Sequence, residues 1–187
     1  ILVNQEGKRF VNELETRDNV SAAELAQEGG YAYTILDQKM MDASSTYNSY
    51  FTKGYAVQAD SYEELAEKLG VDPATFAATM ETWNKAVADQ KDDEFRRLSF
   101  ASALDTAPYY AIKVSPGIHH TMGGVKIDPK TQVYNTKGQI IPGYFAAGEI
   151  TGGVHGGNRL GGNAQADIVT FGRIAGQQAY IYSKQAK

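Results

Sequence analysis

The chain has 187 residues, a formal net charge of −4 and 42% hydrophobic residues, a composition typical of a folded globular protein. The acidic balance argues against broad binding to nucleic acid or to an anionic membrane surface, and no apolar run is long enough for a membrane helix. Cysteine is absent, which excludes disulfides, thiolate metal sites and iron–sulfur ligation within this sequence.

The first third of the chain predicts short elements. Residues 1–3 are typical of a strand entered midway, and the polar stretch Asn4–Lys8 is typical of the turn that ends it. Because no methionine or polar leader precedes this strand, we expect the chain to be part of a longer protein. A helix is predicted over SAAELAQE, ended by Gly29 and Gly30, and YAYTILDQ predicts a strand.

Residues 40–60 show no firm period and are predicted to be irregular. Two helices follow with clear start signals. Ser61 and Glu64 form a capping box, and Asp72-Pro73 supplies an N-cap and a proline at the first helical position. The second helix carries an apolar stripe at helical spacing, which predicts core packing: Phe76, Met80, Trp83 and Val87.

The sequence changes character near residues 115–120, since 14 of the 19 glycines lie between Gly117 and Gly176. We therefore predict an α+β fold with a boundary at this point. Residues 1–118 form a module of mixed helices and short strands. Residues 119–187 form a module of strands around a turn at 136–138, a glycine-rich loop and a long final helix.

The loop GGVHGGNRLGG, residues 152–162, contains six glycines directly before the final helix. Backbone N–H groups and the positive end of the helix dipole favour a negative ligand there, such as a phosphate, a carboxylate or a flavin edge. The spacing matches neither the dinucleotide fingerprint nor the P-loop, so the ligand stays open and an ordinary flexible loop is the alternative. Arg159 is either a solvated surface side chain or a guanidinium held for a planar anion.

The three histidines, His119, His120 and His155, all lie in this second module. If the first two are adjacent in a strand, they point to opposite faces, so they are not expected to share a metal ion. One of them could then touch substrate and the other a cofactor. Nucleophilic catalysis is not indicated, because there is no cysteine and no G-x-S-x-G motif. Arg17 is a further candidate, with an ion pair to Asp18 or Glu13 as its alternative role.

Four segments occur in order across nearly the whole chain: RFVNELETRDNVSAA, PGIHHTMGGVKID, AAGEITGGVHGGNRLGGNA and FGRIAG. Together they resemble the soluble FAD-dependent fumarate reductases, including the flavocytochrome c flavoproteins and, more distantly, succinate dehydrogenase flavoprotein subunits. In that family a clamp domain interrupts an FAD-binding domain. The resemblance implies that residues 1–118 are the clamp domain and residues 119–187 the returning C-terminal part of the FAD-binding domain, without its dinucleotide-binding part.

The resemblance also implies roles for individual residues. Arg17 corresponds to the acid that protonates the substrate. Three residues correspond to groups that hold the substrate: His119, Arg159 and Gly162. Four residues correspond to contacts with FAD: His120, Glu149, Ala164 and Gln165.

The implied reaction is the reduction of fumarate to succinate, by hydride from reduced FAD and a proton from an arginine. The implied partners are a small dicarboxylate and an electron donor, either another domain or a separate protein. Reduction of a different 2-enoate, such as urocanate or an acrylate, is an alternative, as is a non-catalytic interaction module that keeps the fold. Gly157 stands where relatives often have alanine, and Gln165 places an amide where an apolar residue is common.

Overall fold

The α+β fold predicted from the sequence is confirmed by a computed structural model, which describes residues 1–100, 102–118 and 120–185. The chain divides into two units, Ile1–Pro116 and Gly117–Lys187, close to the predicted boundary. The identification of the first unit as a clamp domain stays a prediction. In the described ranges, no helix is both long and apolar enough to cross a membrane.

The first unit contains an antiparallel sheet of four strands: β1 (Leu2–Val3), β2 (Ala32–Asp37), β3 (Ala56–Ala59) and β4 (Tyr109–Val114). Their order in the sheet is β1-β2-β4-β3. The two central strands pair with Ile35 opposite Ala111 and Leu36 opposite Tyr110. Because successive side chains alternate between the faces of a strand, these two pairs lie on opposite faces and begin two separate apolar clusters.

The helices of the first unit are α1 (Arg17–Leu25), α2 (Gln38–Asp42), α3 (Ser45–Thr52), α4 (Tyr62–Leu69) and α5 (Pro73–Asp89). The predicted caps of α4 and α5 are confirmed. Ser61 Oγ accepts the backbone N–H of Glu64, and the Asp72 carboxylate accepts that of Thr75. Gly70 ends α4 with a φ of 72°, a conformation that favours glycine.

The larger cluster buries the predicted stripe of α5, with Phe76, Met80 and Trp83 each at most 2% exposed. The other buried members of this cluster are Val3, Ile35, Ala59, Leu65, Ala66, Val71, Leu104 and Ala111. Leu36, Met41, Tyr110 and Ile112 form the smaller cluster on the opposite face. The first unit therefore has apolar packing on both faces of its sheet.

Two predictions for this unit are wrong. Residues 40–60 contain the end of α2, the whole of α3 and strand β3 rather than irregular chain. Side-chain caps start the two short helices, since Asp37 and Ser44 accept backbone N–H groups of their first turns. The helix predicted from Ser21 instead begins at Arg17, after extended Thr16, and a 3₁₀ turn at Glu28–Gly30 follows its end.

The second unit contains the antiparallel pair β5 (Gln132–Tyr134) and β6 (Ile140–Phe145), followed by α6 (Asn163–Gln185). The predicted hairpin and long helix are confirmed. Asn135 organises the turn, because its side-chain oxygen accepts the backbone N–H groups of Lys137 and Gln139. Phe145 meets Tyr182 with ring centroids 6.1 Å apart, which packs β6 against α6.

Candidate functional site

The glycine-rich loop, residues 152–162, leads directly into α6. Residues 153–162 are all described, and among them only His155 and Arg159 are not exposed. Arg159 is 8% exposed, and its Nη1 donates to the carbonyl of Leu160 at 3.3 Å. The guanidinium is therefore an inward-facing group of the loop rather than a solvated surface side chain.

The end of the loop forms the start of α6. Gly162 has a φ of 86°, which favours glycine, and its carbonyl accepts the N–H of Gln165 at 3.0 Å. Ala164 is partly buried and Gln165 is exposed, both in the first turn. The predicted residues Gly162, Ala164 and Gln165 thus lie at a helix N-terminus, where backbone N–H groups and the helix dipole favour an anion.

The backbone around Gly124 and Val125 passes very close to the start of the loop at Gly152. The N–H of Val125 donates to the carbonyl of Ile150 at 2.9 Å, and the N–H of Gly152 donates to the carbonyl of Val125 at 3.0 Å. A Cβ at Gly152 would lie 2.6 Å from the backbone nitrogen of Gly124, and one at Gly124 would overlap the carbonyl group of Ile150. The Gly124–Gly152 contact therefore requires glycine on both sides.

This contact places the chain after His120 beside the loop, and a row of polar side chains links the two segments. Nδ1 of His120 lies 3.9 Å from Oε2 of Glu149, whose Oε1 accepts the backbone N–H of Thr121 at 3.0 Å. The rings of His120 and His155 meet edge to face at 5.6 Å. His155 Nε2 lies 3.1 Å from Oδ2 of Asp167 on α6. The predicted cofactor ligands His120 and Glu149 are thus close together.

A cavity of about 710 Å³ opens at the Gly124–Gly152 contact. Its lining is mostly backbone and apolar side chain, and includes Gly123, Gly124, Gly152, Gly153, Val154 and Phe171. A Cβ added at Gly123 or Gly153 would meet no protein atom within 4 Å. The cavity falls in the range of small-molecule pockets, roughly 300–1,000 Å³.

Arg17 is described within the first unit, where it is exposed and is the first residue of α1. Glu13, one of its two alternative partners from the sequence, is engaged elsewhere. Arg9 donates to both carboxylate oxygens of Glu13 at 3.0 Å, and Arg97 donates to Oε2 at 3.1 Å. The segment that ends at Arg17 is therefore anchored at Glu13, four residues earlier.

Glu13 belongs to a buried group of charges, Arg9, Glu13, Asp92 and Arg97, which we call the Arg9 cluster. The Arg9 side chain is 1% exposed and donates to Asp92 at 2.9 Å. The guanidinium carbons of Arg9 and Arg97 lie 4.9 and 4.8 Å from the ring centroid of Trp83. Carboxylates and an aromatic face thus compensate the buried cations.

The Arg9 cluster shifts the titration of both its carboxylates. Burial acts to raise the pKa of Glu13, but the hydrogen bonds from Arg9 and the positive charges nearby together outweigh it, and the pKa lies below its ordinary value of 4.5. Burial likewise acts to raise the pKa of Asp92. The hydrogen bond from Arg9 and that from the backbone N–H of Phe95 outweigh this effect, and the pKa lies below 3.8. Both carboxyl groups are therefore held in their charged form.

The structure differs from the sequence-based predictions at the histidine pair and shows one further pair that they did not include. The predicted substrate ligand His119 lies outside the described residues. The strand assumed for the histidine pair is wrong, because β4 ends at Val114 and His120 lies in irregular chain. Within the described ranges, no three metal-ligating side chains come together. The pair His155–Asp167 was missed, although a polar residue early in an otherwise apolar stretch of α6 was an available signal.

Known proteins are similar to this chain in sequence and in fold. The family described as FAD binding domain matches residues 1–164. A fumarate reductase (cytochrome) from Shewanella frigidimarina is 52% identical over 99% of this chain, which covers 32% of that protein. An NADH:fumarate oxidoreductase from Klebsiella pneumoniae is 50% identical over 96% of the chain and 20% of that protein.

A solved structure, the open conformation of a flavocytochrome c3 fumarate reductase, is 45% identical with a TM-score of 0.78. It matches 97% of this chain and 32% of its own chain. The chain thus spans about a third or less of the length of these relatives. The resemblance to the fumarate reductase flavoproteins is confirmed. Because the family match covers most of its length, the chain belongs to the FAD binding domain family of flavoproteins.

Proposed function

We propose that this chain works within a longer FAD-dependent reductase that converts fumarate to succinate. The observation that carries the proposal is the buried guanidinium of Arg159, in a glycine-rich loop at the start of α6. A guanidinium binds a planar carboxylate through two parallel N–H donors and stays charged where water is excluded. The N-terminus of α6 adds a field that favours the same charge. Both features support a small carboxylate as the substrate.

Arg159 and His119 bind a carboxylate of the substrate in this proposal, and the backbone of Gly162 contacts the same molecule. The role of His119 enters from the family resemblance. Positively charged and hydrogen-bonding groups that bind a carboxylate conjugated to the double bond draw electron density away from the reacting carbons and fix their orientation. These effects lower the barrier to addition at the alkene.

Arg17 is the proposed proton donor. A cation in the first turn of a helix is unfavourable by about 0.3–1 kcal/mol, so a functional role explains the position of Arg17 better than helix stability does. A guanidinium holds its proton strongly and releases it only to a very basic acceptor. The substrate carbon left electron-rich after hydride addition to its neighbour is such an acceptor.

The residues of the second unit fit the FAD that the family implies. The cavity at the Gly124–Gly152 contact offers backbone and apolar surface together with Lys126 and Asp128, and it is lined by residues other than the proposed contacts with FAD. The proposed contacts with FAD are His120, Glu149, Ala164 and Gln165. When bound, FAD supplies the hydride. The N-terminus of α6 would favour negative charge on a bound group, and the electron donor would be another redox domain or protein.

The proposal is tested by assaying the full-length flavoprotein with reduced viologen as electron donor and fumarate, urocanate, acrylate or cinnamate as acceptor. We expect kcat/KM to be highest for fumarate. If kcat/KM is higher for another enoate, that enoate rather than fumarate is the substrate. Absence of turnover with all four acceptors, in protein that binds FAD, would overturn the enzymatic proposal in favour of a non-catalytic module.

A variant at Arg159 tests the residue that carries the proposal. Arg159→Met should weaken dicarboxylate binding about 100-fold, because removal of one partner from a buried charged pair costs ~2–5 kcal/mol. Binding of succinate is measured from the change it causes in flavin absorbance. Leu160→Ala is the matched control, since that neighbouring side chain is 75% exposed and should leave the affinity unchanged. Unchanged affinity in Arg159→Met would remove Arg159 from the substrate site.

A further inference from the structure

We infer that His155 and Asp167 form a positioning pair that fixes the glycine-rich loop on α6 and thereby pre-orients Arg159 for its carboxylate ligand. The inference rests on the proposed function for the identity of that ligand. It gives a role to His155, the histidine to which neither the sequence nor the family resemblance assigned one.

The pair is buried within a mostly exposed region. The side chains of His155 and Asp167 are 13% and 3% exposed, while the loop residues around His155 are open to solvent. A carboxylate accepts hydrogen bonds only, so the contact at 3.1 Å places a hydrogen on Nε2 of His155 and fixes the orientation of the ring. This contact links the loop to the fifth residue of α6 by a side-chain hydrogen bond.

Stability alone does not account for Asp167. Its Oδ1 is buried and has no hydrogen-bond partner among the residues that the structure describes. A buried carboxylate with one oxygen unsatisfied is unfavourable compared with an apolar residue of similar size. A role in orienting His155 explains why a carboxylate stands at this position.

The contact closes a short ring of chain around Arg159. His155 and Asp167 are 12 residues apart, and Arg159 lies between them in a segment with four glycines, residues 156–162. An open glycine-rich segment samples many conformations, and closure at both ends removes most of them before the ligand arrives. Binding then pays less ordering entropy, which raises affinity without any new ligand contact.

The ring is also attached to the segment of His120, through the edge-to-face contact of the two imidazoles at 5.6 Å. Asp167, His155, His120 and Glu149 therefore form one row across four segments of the second unit. Asp167 is the member of this row that lies on α6, so its contact with His155 attaches the loop to the helix.

The test is Asp167→Leu in the full-length, FAD-loaded flavoprotein, since this change keeps the approximate size of the side chain and removes the acceptor for His155 Nε2–H. We expect succinate affinity and the KM for fumarate each to be about tenfold poorer, with kcat changed less than about threefold. Hydrogen exchange of the amides of residues 156–162 should be about tenfold faster. Wild-type affinity together with wild-type exchange would overturn the inference.

Coupling to Arg159 separates positioning from a general loss of structure. In the Arg159→Met background, Asp167→Leu should cause no further loss of succinate affinity, because the pair acts through Arg159. An additional tenfold loss would show that Asp167 acts by another route and would overturn the inference. His155→Gln is the second variant; because it retains a donor for Asp167, we expect a smaller loss than in Asp167→Leu, which retains no acceptor.

Asn135→Ala is the matched control, because it removes hydrogen bonds from the β5–β6 turn of the same unit and leaves the loop intact. It should leave succinate affinity and loop exchange unchanged. If the wild-type protein binds and reduces no carboxylate, the proposed function fails. The exchange of residues 156–162 then still decides whether the pair holds the loop.

Discussion

The two units are stabilised in different ways. The first unit packs apolar side chains on both faces of its sheet and adds the buried Arg9 cluster behind α5. In the described part of the second unit, Val133 is the one buried large apolar side chain, and α6 exposes Ile168, Val169, Tyr180 and Ile181. Backbone contacts at Gly124–Gly152 and polar side-chain pairs hold its loops instead.

The difference extends to the candidate functional side chains. Arg17 is exposed on the unit with the large core, whereas Arg159 and His120 are buried in the unit with little apolar packing. A well-packed unit can present a mobile side chain to a ligand because its own fold does not depend on that side chain. In the second unit, the residues proposed to bind ligands also contribute to its structure.

The largest effect is expected at Arg17. Arg17→Ala in the full-length flavoprotein should lower kcat by about 10²–10⁴-fold, the usual contribution of a positioned acid. The unfolding temperature and the FAD content should stay unchanged, because the side chain is exposed. Lys53→Ala, an exposed cation after α3, is the control. A variant that keeps more than about a tenth of the wild-type rate, a loss under ~1.4 kcal/mol, would show that Arg17 is not the acid.

The Arg9 cluster should give the next largest effect. Glu13→Ala should lower the free energy of unfolding by about 3–5 kcal/mol, because it removes the carboxylate that pairs with the largely buried guanidinium of Arg97 and leaves that of Arg9 to Asp92. Denaturant titration measures this change. Glu15→Ala, in the same segment but exposed, should change it by less than about 0.5 kcal/mol. If Glu13→Ala and Glu15→Ala lower the free energy of unfolding equally, the Arg9 cluster does not stabilise the first unit.

A smaller effect is expected at the Gly124–Gly152 contact. Gly124→Ala should raise the exchange rates of the Val125 and Gly152 amides, since an added methyl group separates the two backbones at a cost of about 1–3 kcal/mol. Gly123→Ala is the neighbouring control, because a Cβ there meets open space. Similar exchange in both variants would mean that the close approach does not depend on glycine.

Acidification should give the smallest effect, and it should act on the first unit. The folded-state pKa values of Glu13 and Asp92 are lowered, so their contribution to stability is present above their ordinary values of 4.5 and 3.8. It is lost as the pH falls further, through the folded-state values. Thermal unfolding at a series of pH values should show this loss, and Glu13→Gln should reduce it. If the unfolding temperature of Glu13→Gln falls with pH as it does in the wild-type protein, the pKa of Glu13 is not lowered in the folded state.

Local signals in the sequence were sufficient for elements with strong caps or periods. Ser61, Asp72 and the stripe of α5 predicted two helices and much of the core, and the glycine-rich loop before α6 located the candidate site. The Arg9 cluster was not predictable in this way, because Arg9 and Asp92 are 83 residues apart and meet only through the fold. The helices of residues 40–60 were missed because their caps, not an apolar period, define them.

The stacking of Arg9 and Arg97 on Trp83 has a practical consequence. Trp83 is the single tryptophan of the chain, and its indole N–H donates to the carbonyl of Ser102 at 3.3 Å. Indole emission therefore reports on one unit alone, while helical circular dichroism reports on the helices of both units together. If the two signals change at different points of the same denaturation of this chain, the unit that contains the charged aromatic stack does not unfold together with all of the helices, and no introduced label is needed to show this.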